Sequence, residues 1–366
     1  MNNSINKRNL GIEILRILSM LMVIILHILN HGGILDSLTP NTLNYRVTYL
    51  LYSLAFCAVN TYALISGYVG VNSRYKFANI VNLCLRVLFY STIITFCFYL
   101  GNNDLITNKV IIKSFFPVMM KQYWFFTSYF CLFFFIPFIN NGINNMKEKE
   151  TKVSVIIIII ITTIFTTCFQ NDVFKLSNGY SVLWLIIMYI LGACLGKFMK
   201  KDTKSFKSIC CFFLTILFSW GTKILIEYLA INQIINKSYF ENRNIFINYT
   251  SPTMVLASIL LLKTFINFNI PEKLNKLILK ISSLSFSVYL IHEHPLIRTT
   301  FIKNQFINIA DKSSIKIIGY VLLISMFIYI LCSVIDLIRD FIFTKIKLKQ
   351  NLEKLENKII KNLKNV

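Results

Sequence analysis

Acid is scarce in this sequence: 16 Asp and Glu stand against 38 Lys and Arg over 366 residues, for a formal net charge of +22. A basic excess of this size raises nucleic acid as a partner. However, no polar segment interleaves basic and aromatic residues, and the Lys and Arg fall in short gaps between long apolar runs. The charge pattern therefore speaks for a membrane and against nucleic acid. The nine Cys form no Cys-x-x-Cys pair and no Cys/His ligand spacing, so neither a disulfide framework nor a zinc site is indicated. No glycine-rich phosphate loop occurs, which removes a nucleoside triphosphate site. Gly/Ser linkers, internal repeats and a soluble catalytic domain are also missing from the pattern.

What remains is apolar surface. Hydrophobic residues make up 55% of the chain and the mean hydropathy is +0.62, more than a soluble core of this size can bury. The apolar runs predict an all-α, polytopic integral membrane protein with about ten transmembrane helices. They lie near residues 10–30, 47–70, 80–100, 123–140, 153–170, 181–197, 207–230, 251–267, 279–297 and 315–338. Assigning the gaps to alternate sides gives about 24 Lys and Arg to the side that holds both termini and about 12 to the other, so both termini are expected in the cytoplasm. The sharpest signal is the gap Lys197 to Lys207, with five Lys against one Asp. The first run is too long for a signal peptide, carries charge and has no small-residue cleavage site, so it is expected to stay as a span.

That first run, Leu10 to His31, poses the main question because it carries Glu13, Arg16 and His27. Arg16 and His27 are eleven residues apart, about three helical turns, which puts them within about 20° of one stripe and about 16 Å apart along the axis. Glu13 shares the face. Taken singly, Arg16 could snorkel to the cytoplasmic headgroups with Glu13 as a helix-surface partner, and His27 could sit at the opposite interface. Taken together, they mark a face that lipid does not tolerate, turned toward protein or a wet cavity.

The second span ends in Ser66-Gly67-Tyr68, followed by Arg74 and Lys76. Two readings stay open here: small residues for close helix packing with basic anchors behind them, or a polar, basic mouth for a phosphate-bearing ligand. The fourth span opens with Tyr123-Trp124-Phe125-Phe126, as an aromatic belt would, and carries Pro137. The fifth is uniformly apolar, as a lipid-facing helix is. Lys223 and Glu227 in the seventh are spaced as a helix ion pair. The ninth closes with His292-Glu293-His294-Pro295 and then Arg298. All four histidines (His27, His31, His292, His294) then collect at one level near the outer face, better suited to hydrogen bonding around a reacting hydroxyl than to a metal, for which no supporting Cys or carboxylate cluster has ligand spacing. Residues 345–366 read as a basic amphipathic helix on the inner leaflet, distinct from a membrane domain of residues 1–344. Dimerisation through that tail is a further option, so a homo-oligomer stays open.

Several pieces of the chain resemble the membrane acyltransferase-3 family, and in particular its bacterial members that O-acetylate cell-surface polysaccharides. They are Glu13-x-x-Arg16 with His27, Ile65-Ser66-Gly67-Tyr68, Tyr123-Trp124-Phe125-Phe126-Thr127-x-Tyr129 to Pro137, and Tyr289-Leu290-Ile291-His292 with Pro295. They occur in the same order through nearly the whole chain. The resemblance implies a ten-helix enzyme of the bacterial plasma membrane. It would take an acyl group, usually acetyl, from cytoplasmic acyl-CoA and deliver it to a hydroxyl of a polysaccharide or lipid-linked saccharide outside, with no bound cofactor. Carried over by position, His27 matches the essential histidine and Arg16 its partner arginine. Ser66, Gly67, Tyr68 and Arg74 match the segment toward the acyl-CoA entrance. The fused esterase-like domain of larger members is not seen here, so the membrane domain is expected to be the whole catalyst.

On this reading His27 is a base or acyl acceptor, Arg16 holds a CoA phosphate or carbonyl, and Glu13 fixes its guanidinium. Tyr123, Trp124, His292 and Glu293 are expected to bind the acceptor. A polysaccharide or small-solute transporter is the rival, although no inverted repeat or matched pair of broken spans supports it. A non-enzymatic scaffold would leave the charged face of the first span without a purpose.

Overall fold

The computed structural model describes residues 8–101, 103–199, 205–234, 244–268 and 270–363. Among these residues there is no strand. Twelve principal helices run as α1 (Leu10–Asn30), α2 (Leu43–Phe56), α3 (Ala58–Gly70), α4 (Phe77–Gly101), α5 (Trp124–Asn145), α6 (Glu148–Ile159), α7 (Val182–Phe198), α8 (Ser205–Ile231), α9 (Pro252–Ile266), α10 (Asn275–His292), α11 (Ser314–Lys345) and α12 (Leu348–Leu363). Eight helical segments are long and apolar enough to cross a membrane, and the shorter apolar helices α7 and α9 accompany them. The chain is an all-α, polytopic membrane protein. Part of the lysine-rich gap before α8, residues 200–204, lies outside the described residues.

α1 lies deep in the bundle. Of its most apolar stretch 67% is buried, against 17% for Glu148–Phe169, which is left to face lipid. α1 packs against α2, α3, α9, α10 and α11. Its start is pinned twice: the Asn9 side chain accepts from Ile12 N at 3.3 Å, and Asn9 Nδ2 donates to Ile266 O at 3.0 Å. Serine and threonine caps start several other helices in the same way, with Thr42, Ser181 and Ser251 each accepting from the backbone N–H three residues on.

The second span is not one helix. It breaks at Cys57, between α2 and α3, and Thr61 and Ser258 hydroxyls donate to the Cys57 carbonyl at 2.9 and 3.2 Å. The same carbonyl accepts from Thr61 N at 3.0 Å, so the backbone at the break has full partners, as a span in hydrocarbon requires. One turn on, buried Asn60 donates to Tyr249 O at 2.7 Å and accepts from Trp184 Nε1 at 2.9 Å, tying α3 to α7 and to the loop before α9.

The α3–α7 pair packs closest. A Cβ on Gly67 would meet Tyr189 O at 2.1 Å, and one on Gly192 would meet Leu64 O at 2.2 Å. Ala63 and Gly67 on one helix, with Gly192 and Gly196 on the other, are the small-xxx-small pattern that lets membrane helix backbones touch. Gly67 therefore serves packing, one of the two readings its sequence left open. α12 is docked, with Lys76 Nζ 3.0 Å from Glu353 Oε1. The hydrogen bond and charge of Lys76 hold the Glu353 carboxyl below its usual range.

Gly67→Ala and Gly192→Ala are each expected to cost roughly 1–3 kcal/mol by overpacking this contact. Gly142→Ala, where a Cβ meets nothing within 4 Å, is expected to leave stability unchanged or raise it. Thermal midpoints in detergent check this, and equal midpoints for all three would rule out the α3–α7 register.

Candidate functional site

His27, near the end of α1, faces the end of α10. Its Nδ1 lies 3.0 Å from His292 Nε2 and 3.1 Å from Glu293 Oε2. The hydrogen-bond roles follow from one fixed acceptor. His292 Nδ1 is 2.6 Å from Val288 O, and a carbonyl only accepts, so Nδ1 carries the proton. The Nε2 of a neutral His292 must then accept, so His27 Nδ1 donates and His27 Nε2 keeps the lone pair. This is the orientation of a general base: a ring held by an acceptor behind one nitrogen, with a carboxylate beside it and the other nitrogen left for chemistry. The His31 ring lies tilted beside that of His27, ring centroids 5.1 Å apart, and Arg298 Nη1 lies 2.5 Å from Glu293 Oε1.

His27 lines a chamber of about 280 Å³ walled by Tyr62, Trp124, Phe125, Tyr180 and Tyr289. Tyr62, Phe125 and Phe286 also belong to a second cavity of about 710 Å³ at the Arg16 end of α1. That cavity gathers Arg8, Arg16, Arg86, Arg339, Lys347 and Lys349, with Asp340 the one acid in its lining among the described residues. Arg16 Nη1 donates to both Glu13 oxygens at 3.2 Å, and the Ser282 hydroxyl donates to Glu13 Oε2. Arg339 is gripped by Asp336, which also accepts from Tyr90 OH at 2.6 Å. On the far side, Phe56 and Tyr180 stand between the chamber and a third cavity of about 400 Å³, lined by Asn171, Asn178, Asn244 and Asn248.

The expected site residues divide. Glu13, Arg16, His27, Trp124, His292 and Glu293 come together around the chamber and the basic cavity, and Ser66 lines the latter. Gly67, Tyr68 and Arg74 do not line it. Gly67 is closed against α7, Tyr68 has its backbone against Gly196, and Arg74 is exposed beyond the helix end. Tyr123, expected to bind an acceptor, is instead buried with its hydroxyl on Leu290 O at 3.1 Å. The Lys223–Glu227 pair forms as its spacing suggests, and Tyr45 donates to Glu227.

The sequence shows Glu293 between His292 and His294 but does not link it to His27 and His31. The fold makes that link: ligand atoms of His27, His31 and Glu293 lie within 4.8 Å of one another. Arg298 on the same carboxylate places a positive charge where a cation would sit, which favours a hydrogen-bonding role for the trio. Arg86, Arg339 and the outer asparagines were not singled out by sequence. For the two arginines the signal exists, since each is an ionisable group embedded in an apolar run, and Asp336-x-x-Arg339 repeats the spacing of Glu13-x-x-Arg16.

A family model described as an acyltransferase domain, the third family of that name, matches residues 9–337. No curated protein and no solved structure matches the chain.

A double-mutant cycle on Glu293→Gln and Arg298→Gln is expected to give a coupling of about 1 kcal/mol, modest because Arg298 is partly open to water. Thermal unfolding of the four proteins measures it. Strict additivity would mean that the pair does not hold the carboxylate against His27.

Proposed function

The chain belongs to the membrane acyltransferase-3 family and is a multi-pass membrane acyltransferase; from that premise we propose that it transfers an acetyl group from acyl-CoA to a hydroxyl of a cell-surface or exported polysaccharide. The observation that carries this reading is the position of His27 in a chamber that lies between a basic cavity on one side and an amide-lined cavity on the other. A phosphate-rich donor suits the first and a saccharide the second. The basic side is the cytoplasmic one on this reading, in accord with the lysine-rich gaps and with both termini inside. The membrane is the bacterial plasma membrane.

The acyl-CoA headgroup lies in the basic cavity, and its pantetheine arm passes Arg16 and Ser66 to bring the thioester to His27, about 16 Å along α1 from Arg16. Glu13 and Ser282 keep the Arg16 guanidinium in place. His27 Nε2 takes the proton from the acceptor hydroxyl as its oxygen attacks the thioester carbonyl. The C–O bond forms, the C–S bond breaks, and the proton passes to the departing CoA sulfur. The Glu293 carboxylate, 3.1 Å from His27 Nδ1, stabilises the imidazolium in between. The same nitrogen can instead take the acyl group first, in a two-step transfer.

The test uses proteoliposomes given labelled acetyl-CoA and acceptor polysaccharide. Wild type is expected to release CoA and acetylate the polymer, His27→Ala to lose both by roughly 10²-fold or more, and Arg16→Ala mainly to raise KM for acetyl-CoA. Isolation of acetyl-His27 would select the two-step route. A folded preparation that moves saccharide while consuming no acetyl-CoA would replace this reading with a transporter.

A further inference from the structure

α12 follows the segment matched to the family, yet it supplies part of the wall of the basic cavity. The chain turns sharply after α11. Lys347 takes a left-handed conformation, φ 51°, and the Asn351 side chain donates to Ile346 O at 3.1 Å. The turn delivers Lys347, Lys349 and Gln350 to the cavity.

Further along, α12 is fastened to the start of α4. The Glu356 carboxylate accepts from Phe77 N at 2.7 Å and Ala78 N at 3.1 Å, so a residue far along the chain caps that helix and meets its positive end. Lys76 and Glu353 add an ion pair. α4 in turn carries Asn79, Asn82 and Arg86 into the same cavity. Glu356 therefore locks together two walls of one site. Both glutamates of α12's inner face are committed to docking. Arg16 and Arg339 are committed to Glu13 and Asp336. Lys347 and Lys349, by contrast, make no ion pair among the described residues.

We propose that α12 is a strap across the donor cavity and that Lys347 and Lys349 bind the phosphates at the adenosine end of acyl-CoA. This rests on the acyl-CoA reading above and adds to it the residues that recognise the nucleotide. The same two ammonium groups could meet phosphate from another source, the headgroup of an anionic lipid, and the test separates the two.

The full chain is placed in nanodiscs of phosphatidylcholine, and in others with added phosphatidylglycerol. Dissociation constants are measured for acetyl-CoA and for acetyl-pantetheine, which lacks the nucleotide. The Lys347→Gly/Lys349→Gln protein keeps a residue at ease with the left-handed turn and removes both charges. It is expected to bind acetyl-CoA about tenfold more weakly in phosphatidylcholine while acetyl-pantetheine changes less than twofold. Glu356→Gln, which loosens the strap, is expected to show the same donor selectivity at smaller size. Lys358→Gln, on the exposed far part of α12, is expected to bind both donors like wild type. Equal losses for both donors, no loss for either, or an effect that appears only with phosphatidylglycerol would overturn the strap and leave the transferase reading standing. A wild type that binds no acetyl-CoA would overturn that reading, and the strap with it.

Discussion

A carboxylate, a guanidinium and an imidazole on one transmembrane helix cannot face hydrocarbon, and the fold is arranged around that cost. α1 is surrounded by five helices, and Glu13, Arg16 and His27 on it meet protein or a cavity. Glu13 holds Arg16 and takes a hydroxyl from α10, while His27 meets His292 and Glu293 from the end of the same helix. α1 and α10 are thus joined at both ends by polar contacts, with apolar packing between. Only protein partners or trapped water can satisfy such groups at membrane depth, so the position of α1 inside the bundle follows from its charges.

The cavities follow from the same constraint. Small residues let α3 and α7 close against each other completely, which leaves the open space on the other side of α3, where Tyr62 and Ser66 face α1 and α5. The break at Cys57 adds width, because Phe56 and Val59 on either side of it line the histidine chamber. Tight packing in one place and irregular backbone in another are how a helical bundle makes room for a long, bent substrate.

Basic residues have two distinct uses here. Those in the short gaps set orientation through their bias to one side. Arg16, Arg86 and Arg339 lie deeper, at a cavity, and two of them are oriented by acids three residues away. The spacing that holds them is local, one turn of helix, and costs little to encode.

That distinction separates what each level of description decides. The all-α, polytopic fold class and the polar face of α1 were legible in the sequence, because hydropathy and helical period act over one to seven turns and membrane burial enforces them strictly. Order along the chain also carried the resemblance that pointed to acyl transfer. Tertiary structure decided which residues meet. His27 and His292 are 265 positions apart, and Phe77 and Glu356 279. No periodicity links residues across such distances, so the ring tautomer at His27, the retirement of Gly67 to packing, the burial of Tyr123 and the docking of α12 all had to come from the fold. Sequence fixes the composition of a helix face, but its partner is chosen by the packing of the whole bundle, where small residues, caps and buried charges are satisfied together.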